Sequence, residues 1–343
     1  DRLGAESLRA LFEVTAARWA NGAASADHWR GLAVYGVDGS ALRVADTPEN
    51  EGDFGRPASG RGAAGYPQLR LVALMALRAH VLADMTIGPW SVGEMTLAEA
   101  LWPKIPDHAL VILDRGFFSY RLLHLLATGA QARHWLIRAK RDMKWRVIRR
   151  WSATDQWVEL EIGPRNRRDH PELPEHFLVR VIRYQRRGHR AQTLVTSLLD
   201  RDLYPAAEIA ALYHERWEIE LAFDEIKTHT LERQETLRSR TPERVRQEVW
   251  GLAIAYNLLR LGMKHVAGTV GVPPVRISFH HALLQTRAFW LTAWMSSPGA
   301  LPRHIEQLDR HLALFVLPER RQRTYPRVVK LKISSYPKKP SNQ

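Results

Sequence analysis

The most informative part of this chain is the segment from residue 213 to residue 227, which reads YHERWEIELAFDEIK. Within it, Tyr213, Arg216, Glu220 and Lys227 are separated by 3, 4 and 7 positions. At about 100° per residue, a helix places these four side chains within a stripe roughly 60° wide. The segment therefore predicts a helix on which a carboxylate shares one face with two cations and a phenol.

An ordinary solvated helix face is the simpler explanation, because opposite charges four residues apart pair on many exposed helices. The neighbouring residues argue against it: Asp224 falls near the same stripe, and Leu221 and Phe223 indicate burial beside it. We therefore interpret the stripe as part of a functional site, which other acidic residues could join.

Two aspartates follow short apolar runs that are typical of strands. Asp38 comes after Leu32–Val37 and begins an Asp-Gly pair that predicts a turn, and Asp114 comes after Ala109–Leu113. Such aspartates are often only turn formers or helix caps. Strand ends converge at the carboxyl edge of an α/β sheet, however. Together with Glu220, the two aspartates could hold two Mg²⁺ ions about 4 Å apart for phosphodiester chemistry.

Other residues compete for these roles. Asp46, Asp53 and Asp84 could each replace Asp38, which is preferred because it ends the apolar strand. A zinc site is the weaker interpretation of the histidines, since they lack a partnered set of ligands and are typical of surface or core positions. The histidines in question are His214, His280 and His281.

The remaining pattern predicts alternating strands and helices with a β-rich block in the middle. Helices are expected over 5–20, 96–102, 120–128, 205–227, 242–263 and 280–295. Strands are expected over 32–37, 41–44, 68–77, 79–87, 109–113 and 134–139, and within the block over 144–149, 156–162, 177–184 and 192–198. Residues 47–65 predict a long loop. We expect the block to be an inserted antiparallel sheet with a polar face.

The 343 residues carry a net charge of +14, and this charge is unevenly distributed. Residues 138–190 hold 15 Lys and Arg against 7 Asp and Glu, and residues 320–343 hold eight basic residues and no acidic one. Clustered basic charge predicts a polyanionic partner, usually nucleic acid. A membrane is the weaker option, because the longest apolar run, Leu71–Leu77, is far short of the roughly 20 residues of a span. The absence of cysteine excludes a disulfide framework, a thiolate metal site and a cysteine nucleophile.

The sequence resembles a known family, the DDE transposases of the insertion sequence 4 group, which share a Tyr-x2-Arg-x3-Glu-x6-Lys signature. Residues 213–227 match this signature at all four positions. The likeness spans about residues 31–335. The other segments that resemble the family are Val37–Gly39, Asp46–Asn50, Phe54–Pro57, Leu113–Phe118 and Arg323–Lys330.

This resemblance implies an α/β fold of the ribonuclease H-like type, a mixed sheet flanked by helices, with an inserted antiparallel β-subdomain and a helical C-terminal region. The implied organisation is a helical N-terminal remnant (1–30), the first part of the catalytic core (31–140), the β-rich insertion (141–204), the second part of the core (205–265) and a helical C-terminal region with a basic tail (266–343).

The resemblance also implies an enzyme that cuts transposon ends and joins the freed 3′-hydroxyl to target DNA. Asp38, Asp114 and Glu220 would be the catalytic metal ligands for two Mg²⁺ ions, with Mn²⁺ as a substitute. The residues that would contact DNA are Tyr213, Arg216, Trp217 and Lys227, with helix packing an equal alternative for Trp217. Family members trap an unstacked base with an aromatic residue of the insertion. The candidates for that role are Trp145, Trp151 and Trp157, for most of which core packing is the alternative.

The implied partners are double-stranded DNA, at transposon ends and target, and a second copy of the chain in the synaptic complex. No membrane is implied, and the implied location is the bacterial cytoplasm in association with the nucleoid. Two alternative functions remain open: a structure-selective nuclease on the same fold, and a non-catalytic DNA-binding protein derived from a transposase. Since 37 residues precede Asp38, we expect that part of an N-terminal DNA-binding segment is missing.

Overall fold

The computed structural model describes residues 3–59, 62–63, 65–128, 131–141, 143–186, 189–231 and 236–319. Eleven strands lie within these residues. They are β1 (Ala33–Arg43), β2 (Ala58–Ser59), β3 (Gly62–Ala63), β4 (Gln68–Ala76), β5 (Val81–Pro89), β6 (Ala109–Leu113), β7 (His134–Arg138), β8 (Arg146–Ser152), β9 (Asp155–Glu161), β10 (His176–Tyr184) and β11 (Gln192–Thr196). Nine of them form one sheet in the order β5-β4-β1-β6-β7-β11-β10-β9-β8, and β2 pairs with β3 alone.

Ten α-helices lie within the described residues, and several of them pack against the two faces of this sheet. They are α1 (Gly4–Ala24), α2 (Pro48–Phe54), α3 (Glu94–Ala98), α4 (Tyr120–Thr128), α5 (Pro164–Asp169), α6 (Ala206–Leu212), α7 (Trp217–Asp224), α8 (Pro242–Val270), α9 (Phe279–Ala293) and α10 (Leu301–Ala313). Within the described residues, none of the helices is both long and apolar enough to cross a bilayer.

The centre of the sheet is parallel, as expected for strands buried on both faces. β1 runs parallel to β6, and β6 runs parallel to β7. Leu110 and Ile112 of β6 belong to the core shared with α8, and Val111 and Leu113 belong to the core shared with α4. On the other side of β1, β4 and β5 add two antiparallel strands. The mixed α/β architecture predicted from the sequence is confirmed.

The turn predicted at Asp38 is wrong. β1 continues through it as a single strand, and Asp38 and Gly39 pair with Ala73 and Val72 of β4. A Cβ atom on Gly39 would lie 2.5 Å from the side chain of Glu94, which is exposed and can move aside. Asp38 therefore lies within β1 instead of at its end.

The β-rich block is antiparallel, as predicted, but it is continuous with the main sheet. β11 pairs with β7 through Thr196 and Leu136, and β10, β9 and β8 follow outward. Six of the seven residues of β8 are exposed. The insertion therefore extends the central sheet by four strands and ends in an exposed edge strand.

Two other predictions need correction. The stretch 47–65 contains α2, whose first turn is capped when the Thr47 hydroxyl accepts a hydrogen bond from Asn50. The helix predicted from Pro205 through Lys227 consists of α6, a 3₁₀ turn (Tyr213–Arg216), α7 and a π-helical turn (Glu225–Thr230). The predicted basic tail, residues 320–343, lies outside the described residues.

Candidate active site

The two aspartates lie side by side on neighbouring parallel strands. Val37 of β1 is in register with Leu113 of β6, so that Asp38 and Asp114 follow at the same level of the sheet. Adjacent strands are about 4.8 Å apart. Asp114 caps the 3₁₀ turn that begins at Arg115, and its Oδ2 accepts a hydrogen bond from the Gly116 amide at 3.2 Å. The fold thus places two carboxylates side by side, Asp38 in the middle of β1 and Asp114 directly after the end of β6.

Asp38 is held in a partly buried environment. Its side chain is 19% exposed, and its Oδ1 accepts a hydrogen bond from the Gly39 amide at 2.8 Å. Burial raises the pKa of this carboxyl to about 6, and the negative charges of Glu220 and Asp114 add to the shift, although the Gly39 amide and Arg216 oppose it. Asp38 is thus a partly buried carboxyl that is raised in pKa mainly by its loss of solvent.

Arg216 connects Glu220 to Asp38. Its Nη2 donates to Glu220 Oε1 at 2.6 Å, and its Nη1 lies 3.6 Å from Asp38 Oδ2. The guanidinium is only 10% exposed, whereas the Glu220 side chain is 38% exposed. Because α7 packs against β1, residues 182 positions apart meet at one cationic group. Asp38 and Glu220 are therefore held at the same guanidinium.

The donor set has the chemistry of a Mg²⁺ or Mn²⁺ site, since such ions prefer carboxylate oxygens. Among the described residues, no three acidic or histidine side chains are arranged as ready metal ligands. The positive charge between Asp38 and Glu220 is supplied by Arg216. Asp38, Asp114 and Glu220 nevertheless offer the carboxylate oxygens that such an ion prefers. The three residues therefore fit a divalent metal by the type of their ligand atoms.

The other signature residues occupy different environments. Tyr213 is buried, its hydroxyl donates to the Leu113 carbonyl at 3.5 Å, and burial raises its pKa to about 12. Trp217 is 43% exposed, and the Arg216 guanidinium lies 5.0 Å from its ring. Lys227 lies on the π-helical turn and lines a small apolar cleft. Tyr213 thus supports the end of β6, while Trp217 faces solvent.

The competing acidic residues lie elsewhere. Asp46 pairs with Arg56, and Asp53 pairs with Arg246 at 2.6 Å. Asp84 lines a separate cleft together with residues of α1 and α8, and its Oδ1 accepts from the Met85 amide at 2.7 Å. None of these contacts involves Asp114 or Glu220, which favours Asp38 as the third carboxylate.

The histidine and tryptophan candidates also have defined places. The His281 ring stacks on Phe315 at 4.1 Å and the His214 ring lies 5.8 Å from Tyr184, so both histidines are in aromatic packing. Trp151 and Trp157 form an edge-to-face pair with ring centroids 4.8 Å apart, beside Arg149. The remaining candidates are His280, which lies 5.2 Å from the His229 ring, and Trp145, which packs against the core on the α4 face.

Sequence reasoning missed a set of acidic residues on the other side of the same helical segment. Glu215, Glu218 and Glu225 contact Arg78, His80 and Arg260 respectively. Their spacing of 3 and 7 repeats that of the signature and was a usable signal. Their partners lie more than 30 residues away along the chain, so the sequence alone does not reveal the contacts.

The family model and the two relatives that match this chain in sequence are all described as transposases. The family model described as "Transposase DDE domain" matches residues 29–258. The transposase InsG for insertion sequence element IS4 of Escherichia coli (strain K12) is 36% identical over 340 residues, which cover 99% of this chain and 76% of that protein. The putative transposase InsZ of the same organism is 33% identical over 148 residues, which cover 43% of this chain and 50% of that protein.

Among solved structures, a cryo-EM structure of a piggyBac transposase synaptic complex with hairpin DNA is similar with a TM-score of 0.43 and 11% identity. The likeness covers 84% of this chain and 58% of that chain.

Proposed function

This chain belongs to the DDE transposases of the insertion sequence 4 family and is a DNA transposase, and we propose that Asp38, Asp114 and Glu220 are its catalytic carboxylates. The observation that carries this assignment is the register of Val37 with Leu113, which brings the aspartates together, and the Arg216 link to Glu220. The strand order supports a ribonuclease H-like core, since an antiparallel β1-β4-β5 unit is followed by parallel β6 and β7.

The family uses divalent metal ions, and we assign two Mg²⁺ ions to the three carboxylates, with Mn²⁺ as a functional substitute. Bound there, the ions would activate a water or a 3′-hydroxyl and stabilise the leaving oxygen during cleavage and strand transfer. The side chains of the protein fix the positions of the carboxylates before the reaction. Arg216 binds both Asp38 and Glu220, and Asp114 accepts a hydrogen bond from the amide of Gly116 in the turn that follows it.

DNA contacts near the scissile phosphate are assigned to the signature residues. Arg216 and Lys227 have the charge to bind phosphate, and Trp217 has an exposed ring that can stack on a base. Tyr213 is buried, so its contribution is to support β6 below Asp114, with any DNA contact limited to the edge of its ring.

A groove with a volume of about 680 Å³ lies between the segment that follows β6 and the insertion. Its lining includes Phe118, Tyr120, Lys140, Lys144, Glu161 and Asn166. Since Phe118 follows the turn capped by Asp114, the groove begins beside the proposed site. We assign it as the path of a DNA strand toward the insertion.

The insertion is the main DNA-holding surface of this proposal. Residues 138–190 carry a net charge of +8, and Arg165 and Arg168 of α5 are 87% and 77% exposed. Such phosphate contacts give affinity and little sequence information. Trp151 and Trp157, beside Arg149, are the better placed candidates for an unstacked base, because Trp145 packs on the core.

The wider proposal keeps the predicted organisation: core segments 31–140 and 205–265, the insertion 141–204, and flanking regions 1–30 and 266–343. The substrate is double-stranded DNA at transposon ends and target, and the active assembly is a homodimer that holds two ends. Action on chromosomal DNA implies a location at the bacterial nucleoid.

The test is cleavage of DNA that contains a transposon end. Wild-type protein should cut it with Mg²⁺ or Mn²⁺, and Asp38→Asn, Asp114→Asn and Glu220→Gln should not. Equal metal-dependent cutting by wild type and Asp114→Asn would refute the site. Joining of the 3′-hydroxyl to a target plasmid is the second readout, and cutting without joining would indicate a structure-selective nuclease.

A further inference from the structure

The helical segment that carries Glu220 has a second functional face. Glu215, Glu218 and Glu225 contact Arg78, His80 and Arg260, respectively, whereas Arg216 of the signature stripe contacts Asp38. We name these three residues the anchor face. Arg78 grips Glu215 through two hydrogen bonds, from Nε to Oε2 and from Nη2 to Oε1, both 2.9 Å long. The anchor face is therefore tied to the turn between β4 and β5.

A buried polar cluster holds the other end of the anchor face. Arg260 of α8 is 1% exposed and forms an ion pair with Glu225. The Tyr256 hydroxyl donates to Glu225 Oε2 at 2.8 Å, and Arg260 Nε donates to the Tyr256 oxygen at 3.3 Å. Burial alone would raise the pKa of Glu225, but Arg260, His80 and Tyr256 together outweigh it and lower the pKa to about 2. Glu225 is thus a buried, ionised residue on the segment that carries Glu220.

His80 links this cluster to the sheet. His80 Nδ1 lies 2.5 Å from Arg260 Nη2 and 3.4 Å from Glu225 Oε2, and its Nε2 lies 2.9 Å from Glu218 Oε2. His80 is 1% exposed and has a φ angle of 54°, a strained conformation for a residue other than glycine. The backbone is held in this conformation at the point where the β4–β5 turn meets the anchor face.

The cluster lies among β4, β5 and α8, which are next to the elements that carry the proposed site. β4 pairs with β1 so that Ala73 faces Asp38, and Asn257 of α8 exchanges two hydrogen bonds with the backbone of Leu82 in β5, at 2.8 and 2.9 Å. The position of Glu220 relative to Asp38 therefore depends on α8 and the β4–β5 hairpin as well as on Arg216.

A contribution to stability is a weak explanation for this buried ion pair, because well-packed apolar residues often replace buried ion pairs without loss of stability. The helical hydrogen-bond pattern changes to the π type at Glu225, directly after α7 and two residues before Lys227. Such turns frequently occur at functional sites. From these contacts we infer that Glu225 and Arg260, with His80, are positioning residues that set the placement of Glu220 and Lys227 against Asp38.

This inference rests on the proposed active site, and its test compares two buried ion pairs. Glu225→Gln keeps the shape of the side chain and leaves Arg260 without its carboxylate. The matched control is Asp155→Asn, which leaves another buried arginine, Arg180 of the insertion, without its carboxylate. Arg180 is fully buried and donates two hydrogen bonds to Asp155, at 2.7 and 2.8 Å. A third protein combines Glu225→Leu with Arg260→Met and restores apolar packing.

Single-turnover cleavage and DNA affinity are measured with Mg²⁺ at a temperature where every variant is folded. We expect Glu225→Gln to lower the cleavage rate about 10-fold or more with unchanged Kd, because small misplacements of reacting groups are costly. The double variant should recover thermal stability but remain slow. Asp155→Asn should cleave at the wild-type rate. Hydrogen exchange of peptides from residues 217–231 should increase in Glu225→Gln and not in Asp155→Asn.

A Glu225→Gln protein that cleaves at the wild-type rate would overturn the inference, as would a double variant that regains both stability and rate. Failure of the wild-type protein to cleave with metal would instead refute the proposed function.

Discussion

The site around Asp38, Asp114 and Glu220 and the outer surface of the insertion treat charge in opposite ways. At the site, the Arg216 guanidinium is 10% exposed and paired with acidic groups. In the outer region, Arg165 is 87% exposed, and residues 138–190 carry a net charge of +8. The difference indicates a division between chemistry, which needs enclosed and balanced charge, and affinity, which needs exposed positive charge. Substitutions in the first region should change rates, and those in the second should change Kd.

The largest expected effect is a loss of catalysis when one of the three carboxylates is removed. Asp114→Asn should lower single-turnover cleavage by about 10³-fold, because metal-ion stabilisation of the transition state amounts to several kcal/mol. DNA affinity should stay the same or increase, since a negative charge near the phosphates is removed. Gel-shift titration and cleavage kinetics measure the two quantities, and chelation of the metal with EDTA should give the same loss in wild-type protein. A parallel loss of affinity would contradict the division between the two regions.

The next effect is structural and lies in the outer region. Asp155→Asn leaves Arg180 buried without its carboxylate, and we expect the free energy of unfolding to fall by about 3 kcal/mol. Arg180 also donates to the Tyr204 carbonyl at 2.7 Å, which joins the insertion to the start of α6. Urea denaturation measures the loss. An unchanged unfolding midpoint would show that this ion pair does not hold the outer strands in place.

A smaller effect of opposite sign is expected at Asp38. Its pKa of about 6 in the folded protein exceeds the ordinary value of 3.8. Ionisation of Asp38 therefore opposes folding above pH 6, and this penalty disappears as the pH falls below 3.8. In metal-free buffer, Asp38→Asn should raise the free energy of unfolding by about 2 kcal/mol at pH 7 and leave it unchanged at pH 3. Equal stability of the two proteins at pH 7 would argue against a strained carboxylate cluster.

The smallest effect should appear in the groove and insertion. Replacing both Lys144 and Arg165 by serine should weaken DNA binding and reduce the slope of log K against log salt by about 2. The cleavage rate at saturating DNA should not change. Arg310→Ser on α10 serves as the control, because Arg310 is also exposed but lies far along the chain from the insertion. An unaltered salt slope in the double variant would place the DNA path elsewhere.

Much of this arrangement could be predicted from local patterns. The apolar runs before Asp38 and Asp114 identified the two central strands, and helical spacing identified the stripe that includes Arg216 and Glu220. The Asp-Gly pair was misleading, because β4 pairs with Asp38 and Gly39 and keeps the strand extended through both residues. That pairing joins segments that are separated in the sequence and leaves no local signal.

The long-range side-chain contacts of the site could not be predicted for the same reason. Helical spacing allows Arg216 to pair with Glu220, but only the fold shows that it also lies 3.6 Å from Asp38. Glu225 resembles an ordinary exposed glutamate until α8 places Arg260 and Tyr256 against it. Long-range charge pairs of this kind depend on how helices pack on the sheet, which the sequence pattern does not specify.

The most direct test of the account is to map the metal site in the protein itself. Fe²⁺ bound in place of Mg²⁺, with ascorbate and peroxide, generates radicals that cut the backbone near the ion, and the fragments are identified by mass spectrometry. The account predicts cuts close to residues 38, 114 and 220, all of which disappear in Asp114→Asn. Cuts near Asp84 or His280, or cuts near Asp38 that persist in Asp114→Asn, would contradict a single site formed by the three carboxylates.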